Sequence, residues 1–217
     1  MKPCTILVMA SGNGSNFQAL IDARLPDARI TRLVTNRSKA LATARADAAG
    51  IPWEYFNLIS HGFLAKGERD EARVAAARGE YDAALAERVL ALEDGVRPEL
   101  IVLAGWMYVF SGRFLEPMRR AGIRVINLHP ALPGAYDGAG AIERAFEDFK
   151  AGRATKTGIM VHYVIETVDR GEPIMVREIE WQGEELPQLE ERIHSYEHEL
   201  IVGAAAKVVA EIVASRE

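Results

Sequence analysis

The sequence predicts an α/β fold: a single doubly wound, mostly parallel sheet with helices on both faces and an antiparallel pair of strands near the C terminus. Short, almost uninterrupted apolar runs alternate with helical patterns from residue 5 to residue 151. Strands covered on both faces have such runs, and the alternation is typical of a parallel sheet. After Thr157 the alternation ends, and two strand patterns joined by an acidic loop precede a long helical pattern.

Each element is placed from its own pattern. Short apolar runs predict parallel strands at residues 5–9, 30–35, 53–57, 100–104 and 124–127. Periodic apolar positions predict helices at residues 16–24, 39–49, 79–94 and 139–151. The charged segment 60–79 lacks clear periodicity and is predicted to be a mobile surface loop. The C-terminal strands are predicted at 158–165 and 173–181, and the closing helix at 185–214.

The composition excludes several classes of protein. The length of 217 residues allows a sizeable core and is interpreted as a single domain, 1–217. A formal net charge of -5 gives no broad basic field, so nucleic acid is not an expected partner. The single cysteine, Cys4, can form neither an internal disulfide nor a thiolate cluster for a metal. No apolar run reaches the ~18 residues of a membrane span, and no signal-peptide pattern precedes the first strand, which predicts a cytoplasmic protein with no membrane partner.

The most informative polar residues end the fifth strand, in Asn127-Leu128-His129-Pro130. Residues two apart in a strand point to the same face, so Asn127 and His129 should direct an amide and a titratable imidazole at one point. Such a pair suits a developing oxyanion. The neutral Asn127 amide donates whatever the pH, whereas the His129 imidazole can carry and pass on a proton. Asp169 is the candidate acidic partner. The alternative is a strand-end histidine satisfied by loop carbonyls.

A glycine-rich turn follows the first strand, in Ser11-Gly12-Asn13-Gly14-Ser15-Asn16. Gly12 and Gly14 let the backbone turn tightly and approach a ligand. Ser15 and Gln18 have the spacing of a capping box, which predicts a helix start there, and a helix N terminus behind such a turn suits a phosphate. The third glycine of a dinucleotide-binding turn and the Gly-Lys-Ser/Thr of a P-loop are missing. A monophosphate site is therefore preferred to a plain β–α turn.

Five ordered motifs resemble the phosphoribosylglycinamide formyltransferase family, the folate-dependent enzymes of purine synthesis. They cover nearly the whole chain, at residues 11–16, 103–107, 126–130, 158–164 with 169–174, and 195–198. The resemblance implies the formyltransferase fold and transfer of a formyl group from 10-formyltetrahydrofolate to the amine of glycinamide ribonucleotide. It implies small-molecule partners, no metal, and a monomer or homodimer.

The resemblance also assigns residues to the reaction. Catalysis would use Asn127, His129 and Asp169. The nucleotide substrate would be bound by Gly12, Asn13, Gly14, Ser15, Asn16, Pro130 and Glu197. The folate would be bound by Arg78, Met107, Tyr108, Val109, Phe110, Asn127, Ile165, Glu166, Thr167, Val168 and Asp169. The N-terminal half, about 1–100, would bind phosphate, and the C-terminal half, about 101–217, would bind folate and carry catalysis.

Two departures distinguish this chain within that family. Residues 131–142 contain no histidine, whereas bacterial members carry a His-x-His segment there, so the loop is more similar to the fungal branch. Tyr108 stands where many relatives have arginine.

Other functions stay open at this point. One is another folate-dependent formyl- or hydroxymethyltransferase, such as formyltetrahydrofolate hydrolase or methionyl-tRNA formyltransferase, which carry an additional N-terminal or C-terminal domain that is not expected here. Another is a phospho-ligand-binding regulator without turnover.

The remaining histidines are interpreted without a catalytic role or left open. His194 and His198 have the spacing of a zinc pair but lack the central glutamate of His-Glu-x-x-His, and they are interpreted as surface-helix residues. For His162, a supporting role beside Asp169 and a core role are both open.

Overall fold

The computed structural model describes residues 2–91 and 96–216 of the chain. Within these ranges the chain forms seven strands and six helices. Their order is β1 (Cys4–Met9), α1 (Ser15–Ala23), β2 (Ala28–Thr35), α2 (Ala42–Ala49), β3 (Trp53–Tyr55), α3 (Glu71–Leu90), β4 (Leu100–Leu103), α4 (Gly112–Arg120), β5 (Arg124–His129), α5 (Ala141–Lys150), β6 (Lys156–Tyr163), β7 (Pro173–Glu180) and α6 (Leu186–Ala214). None of these helices is long and apolar enough to cross a membrane.

The strands form one sheet in the order β3-β2-β1-β4-β5-β6-β7. Strands β1 to β5 are parallel, whereas β6 pairs antiparallel with both β5 and β7. The predicted fold class is confirmed. The chain adds β2 and β3 on one side of β1 and then places β4 on the other side. Such a reversal opens a crevice at the carboxyl ends of β1 and β4, where open α/β sheets bind ligands.

Helices cover both faces of the sheet. On one face, α1, α2, α5 and α6 bury side chains such as Phe17, Phe149 and Ile201 against the strands. On the other face, α3 and α4 bury Tyr81 and Phe114. The strands are buried between these layers, which is why their sequences read as almost continuous apolar runs.

The third helix starts earlier than predicted. It begins at Glu71, because the Asp70 carboxylate accepts a hydrogen bond of 2.9 Å from the backbone N–H of Arg73. Such an N-cap stabilises a helix by ~1 kcal/mol. The prediction of a loop through residue 79 was wrong, since the first turns are charged or exposed and the buried face begins only at Ala77. Residues 92–94 of the predicted helix lie outside the described residues.

The sequence analysis missed α4. Its N-cap Ser111 accepts a hydrogen bond from the Arg113 N–H at 3.3 Å, and Phe114 and Met118 form its buried stripe. The helix is short and contains Pro117, which concealed its periodicity. Its position matters because it places Gly112 beside Glu166 in the loop that follows β6.

Candidate active site

Three segments meet at the carboxyl edge of the sheet, after β1, β2 and β4. The backbone N–H of Ser11 donates to the Gly105 carbonyl at 3.0 Å, and the N–H of Met107 donates to the Ser11 hydroxyl at 2.8 Å. The same hydroxyl donates to Asn36 Oδ1 at 2.7 Å. Ser11 is buried, so these bonds join the glycine-rich turn firmly to the segment after β4. The sequence analysis missed this link, which involves a small residue at the strand end.

The structure brings the three predicted catalytic residues together. Asn127 and His129 stand on β5, and Asp169 lies in the loop between β6 and β7. Asn127 Nδ2 lies 3.4 Å from Asp169 Oδ1, and His129 Nδ1 lies 3.4 Å from Asp169 Oδ2. Asp169 has a φ of 55°, a left-handed conformation that is uncommon for a residue other than glycine and clusters at functional sites.

His162 faces the same carboxylate. The antiparallel register of β5 and β6 pairs it with Asn127, and its Nε2 lies 3.4 Å from Asp169 Oδ1. Its Nδ1 lies 2.9 Å from the Tyr163 carbonyl oxygen, which can only accept, so Nδ1 carries the hydrogen of that bond. Of the two roles left open by the sequence, the contacts favour a supporting position beside Asp169.

The environment of His129 acts on its protonation in two directions. Burial lowers the pKa of His129 below its ordinary value, because the charged imidazole loses water. The Asp169 carboxylate opposes this effect, as does the Tyr136 carbonyl, which lies 3.1 Å from Nε2. Both ring nitrogens thus face acceptors, so a protonated imidazole would have a partner on each side.

Asp169 remains ionised despite its location. Burial alone would raise the pKa of Asp169, but the adjacent His162, the hydrogen bond from the Gly138 N–H and the nearby His129 hold it below its ordinary value. The Gly138 N–H donates to Oδ2 at 2.8 Å. Because Tyr136 and Gly138 act through backbone groups, their residue types gave no chemical signal in the sequence. The recurring glycines of the loop were the available signal.

The glycine-rich turn is built differently from the sequence expectation. The N-cap of α1 is Gly14, with a φ of 76°, and no side chain caps the helix, so the predicted capping box of Ser15 and Gln18 is wrong. A Cβ on Gly14 would lie 2.8 Å from the Ala42 Cβ, so this glycine is needed for packing against α2. A Cβ on Gly12 would meet nothing within 4 Å, which leaves Gly12 beside open space.

Arg45 of α2 holds the exposed part of this turn. Its Nε donates to the Asn13 carbonyl at 2.9 Å, and its Nη2 donates to Asn13 Oδ1 at 2.8 Å. These bonds place a guanidinium next to the free N–H groups that begin α1. Both the positive charge and the N–H groups favour an anion there.

Asn16 and Glu197 connect this turn with α6. Asn16 Nδ2 donates to Glu197 Oε2 at 3.1 Å, and both side chains are buried. The same carboxylate oxygen lies 3.1 Å from His194 Nδ1. Asn16 Oδ1 is buried without a hydrogen-bond partner, so an acceptor remains available beside the turn.

Two further residues were predicted to bind the nucleotide. Ser15 is the first residue of α1, and Pro130 follows His129 in a half-buried position.

The segment after β4 exposes an apolar surface. Met107 and Val109 are 69% and 50% exposed, respectively, whereas Phe110 is buried and stacks on Phe114. Arg78 of α3 lies over the Tyr108 ring, 4.7 Å from its centre, and donates to the Val109 carbonyl at 3.2 Å. Of the residues assigned to the folate in this segment, Met107 and Val109 therefore present side chains outward, while Phe110 supports them from the core.

The loop after β6 completes the site. Ile165 is 47% exposed, Glu166 and Thr167 are exposed, and Val168 and Asp169 are partly buried. The Glu166 side chain lies against Gly112 at the start of α4. A Cβ on Gly112 would lie 2.6 Å from the Glu166 carboxylate. Among the described residues, no group of three or more His, Cys, Asp and Glu side chains is arranged to hold a metal ion.

Comparison with known proteins gives one consistent family. The formyl transferase family model matches residues 4–205. The chain is 41% identical over 213 residues to phosphoribosylglycinamide formyltransferase of Schizosaccharomyces pombe, covering 95% of this chain and 98% of the relative. It is 39% identical over 218 residues to the protein of the same name from Saccharomyces cerevisiae, with the same coverage. These similarities agree with the likeness of residues 131–142 to the fungal branch.

Solved structures give the same result. Glycinamide ribonucleotide transformylase 1 from Geobacillus kaustophilus superposes with a TM-score of 0.73 at 33% identity, covering 95% of this chain and 99% of that structure. Glycinamide ribonucleotide transformylase 1 from Symbiobacterium toebii superposes with a TM-score of 0.77 at 28% identity, covering 97% and 89%.

Proposed function

This chain belongs to the formyl transferase family, and from that membership we propose that it transfers a formyl group to the amine of glycinamide ribonucleotide in purine biosynthesis. The donor in this proposal is 10-formyltetrahydrofolate. The observation that carries the proposal is the convergence of Asn127, His129 and Asp169 at the carboxyl end of β5, next to the strand that leads into the exposed apolar segment.

The chemistry required of the site is proton transfer and charge stabilisation. Attack of the amine nitrogen on the formyl carbon places negative charge on the formyl oxygen. The Asn127 amide and the protonated His129 would donate hydrogen bonds to that oxygen, and one preorganised donor of this kind is worth about 3 to 4 kcal/mol of barrier. The bond from the formyl carbon to the folate nitrogen then breaks. The amine nitrogen gives up a proton and the folate nitrogen gains one.

His129 would carry that proton. Burial lowers the pKa of His129, and the Asp169 carboxylate opposes that effect by favouring the imidazolium, which supports His129 as the group that takes up the proton. In the structure the Nε2 of His129 is engaged by the Tyr136 carbonyl. The formyl oxygen would have to compete with this carbonyl for the same donor.

The nucleotide would bind across both halves of the chain. Its phosphate would lie at the turn of Gly12, Asn13 and Gly14, against the first N–H groups of α1. Asn16 Oδ1, which is buried without a partner, would accept from a hydroxyl or amine of the substrate. Glu197 would bind the glycinamide or ribose end while it keeps Asn16 in place.

The folate would lie on the exposed apolar surface. Met107, Val109 and Ile165 expose large apolar side chains on segments that flank Asp169, and such exposed groups mark binding surfaces. Arg78 holds the backbone of this segment at Val109 and offers its remaining donors to a carboxylate of the folate.

A direct assay tests the proposal. The purified protein is mixed with glycinamide ribonucleotide and 10-formyltetrahydrofolate, and the release of the deformylated folate is followed by absorbance. We expect turnover that requires both substrates. Release of deformylated folate at the same rate without the nucleotide would instead show a hydrolase, and no release in either mixture would favour a binding protein.

A further inference from the structure

The loop between Pro133 and α5 has an unusual backbone. The φ angles of Gly134, Tyr136, Gly138 and Gly140 are all positive, between 50° and 83°, whereas no positive φ occurs at the residues between them. Tyr136 adopts this left-handed conformation without being glycine, which is unfavourable because its Cβ approaches the following carbonyl oxygen. A loop that holds such a conformation needs contacts that compensate for it.

Arg144 supplies these contacts. Its Nη2 lies 2.7 Å from the Tyr136 carbonyl oxygen, 2.8 Å from that of Asp137 and 2.9 Å from that of Ala139. Its Nε donates to the Gly140 carbonyl at 3.2 Å. The alternating backbone directs these oxygens to one side, and the guanidinium fills the space between them. A planar cation with several donors suits such a cluster better than a lysine would.

The same loop contacts both catalytic side chains. The Tyr136 carbonyl, which accepts from Arg144, also lies 3.1 Å from His129 Nε2. Two residues later, the Gly138 N–H donates to Asp169 Oδ2. On the other side, Asp137 accepts a hydrogen bond of 2.7 Å from Arg170, next to Asp169. Any shift of the loop would therefore move partners of His129 and of Asp169 together.

We propose that Arg144 is a positioning residue for the reaction, which acts on His129 and Asp169 through the backbone of residues 136–140. The inference rests on the proposed function, in which His129 donates to the formyl oxygen. A carbonyl oxygen has two lone pairs. When His129 turns from the Tyr136 carbonyl to the substrate, Arg144 still donates to that carbonyl, so the change does not leave this partly buried acceptor unpaired.

The test compares Arg144→Ala with Arg119→Ala, a control that removes an exposed arginine of α4 paired only with Glu116 among its described contacts. We expect Arg144→Ala to lower kcat by about 10- to 100-fold, as misplacement of reacting groups does, with little change in KM for the nucleotide. Millimolar ethylguanidinium should restore part of kcat in this variant and have no effect on the control. Thermal melting checks that both variants are folded, and Arg144→Lys replaces the alanine variant if the latter is not.

Amide hydrogen exchange at Gly138 provides a readout that needs no turnover. Without Arg144 the N–H of Gly138 should exchange faster than in the wild type and in Arg119→Ala, because the loop that presents it to Asp169 is released. Wild-type kcat and unchanged Gly138 exchange in folded Arg144→Ala would overturn the inference. A wild-type protein without formyl transfer would overturn the proposed function instead, while the exchange experiment would still test the role of Arg144 in the loop.

Discussion

His129 Nδ1 lies 3.4 Å from Asp169 Oδ2, and the two side chains are only 5% and 8% exposed. Burial disfavours the charged form of each group, whereas their mutual attraction favours both charges. For Asp169 the favourable contacts prevail and its pKa is lowered, but for His129 burial prevails and its pKa is also lowered. The carboxylate is thus the main group that keeps the buried imidazole able to take up a proton.

Removal of that charge should change the titration of the imidazole. In Asp169→Asn the shape is kept and the negative charge is lost, so the pKa of His129 should fall further below its ordinary value, and kcat should fall with it near neutral pH. NMR titration of the His129 ring in both proteins measures the change. Asp47→Asn, on the exposed side of α2, is the control and should leave the pKa of His129 unaltered. An equal pKa and an equal kcat in wild type and Asp169→Asn would remove Asp169 from the catalytic assignments.

His129 itself should be required for turnover. We expect His129→Ala to lower kcat by about 10² to 10⁴, the usual contribution of a general acid–base group, with only a modest effect on substrate KM. Steady-state kinetics at saturating concentrations of both substrates separate the two quantities. His61→Gln, in the exposed loop after β3, serves as the control and should retain wild-type kcat. Near-wild-type turnover in His129→Ala would assign the proton transfer to another group.

The two glycines of the turn should respond differently to the same substitution. Gly12 has no neighbour near its missing Cβ, so Gly12→Val should place a side chain over the turn, weaken nucleotide binding and leave folate binding and Tm nearly unchanged. Gly14→Val should lower Tm, because its Cβ would overlap Ala42 and its φ is positive. Calorimetry with each substrate and thermal melting of each variant provide the comparison. Normal nucleotide binding by Gly12→Val would leave the turn as a plain β–α connection.

The sequence was most informative where chemistry and periodicity coincide. Apolar runs located the strands, and the spacing of Asn127 and His129 predicted that the two side chains share a face; in the structure each lies 3.4 Å from Asp169. The packing of Gly14 against Ala42 was missed, because it joins two helices that no local pattern connects. Arg144 was missed since its partners are backbone carbonyls, whose arrangement depends on φ angles rather than on residue type.

Glu197 offers a prediction that does not depend on turnover. Its hydrogen bond with His194 Nδ1, at 3.1 Å, raises the pKa of His194 above its ordinary value, and the charge of Glu190 adds to this effect. Because the folded-state pKa is raised, the stabilisation by this pair is complete below the unfolded pKa and is lost as pH rises through the folded pKa. In Glu197→Gln the pKa of His194 should fall, and the free energy of unfolding should lose that part of its pH dependence.

Glu190→Gln on the same helix is the matched control for this pair. Glu190 acts on His194 only through its charge, so its removal should lower the pKa of His194 less than Glu197→Gln does. NMR titration of His194 in the three proteins, together with urea unfolding on either side of the folded pKa, gives both quantities. Equal shifts in the two variants would contradict a specific bond between His194 and Glu197. A larger shift in Glu197→Gln would show that Glu197 specifically stabilises the imidazolium of His194, with the same carboxylate oxygen that accepts from Asn16 at the start of α1.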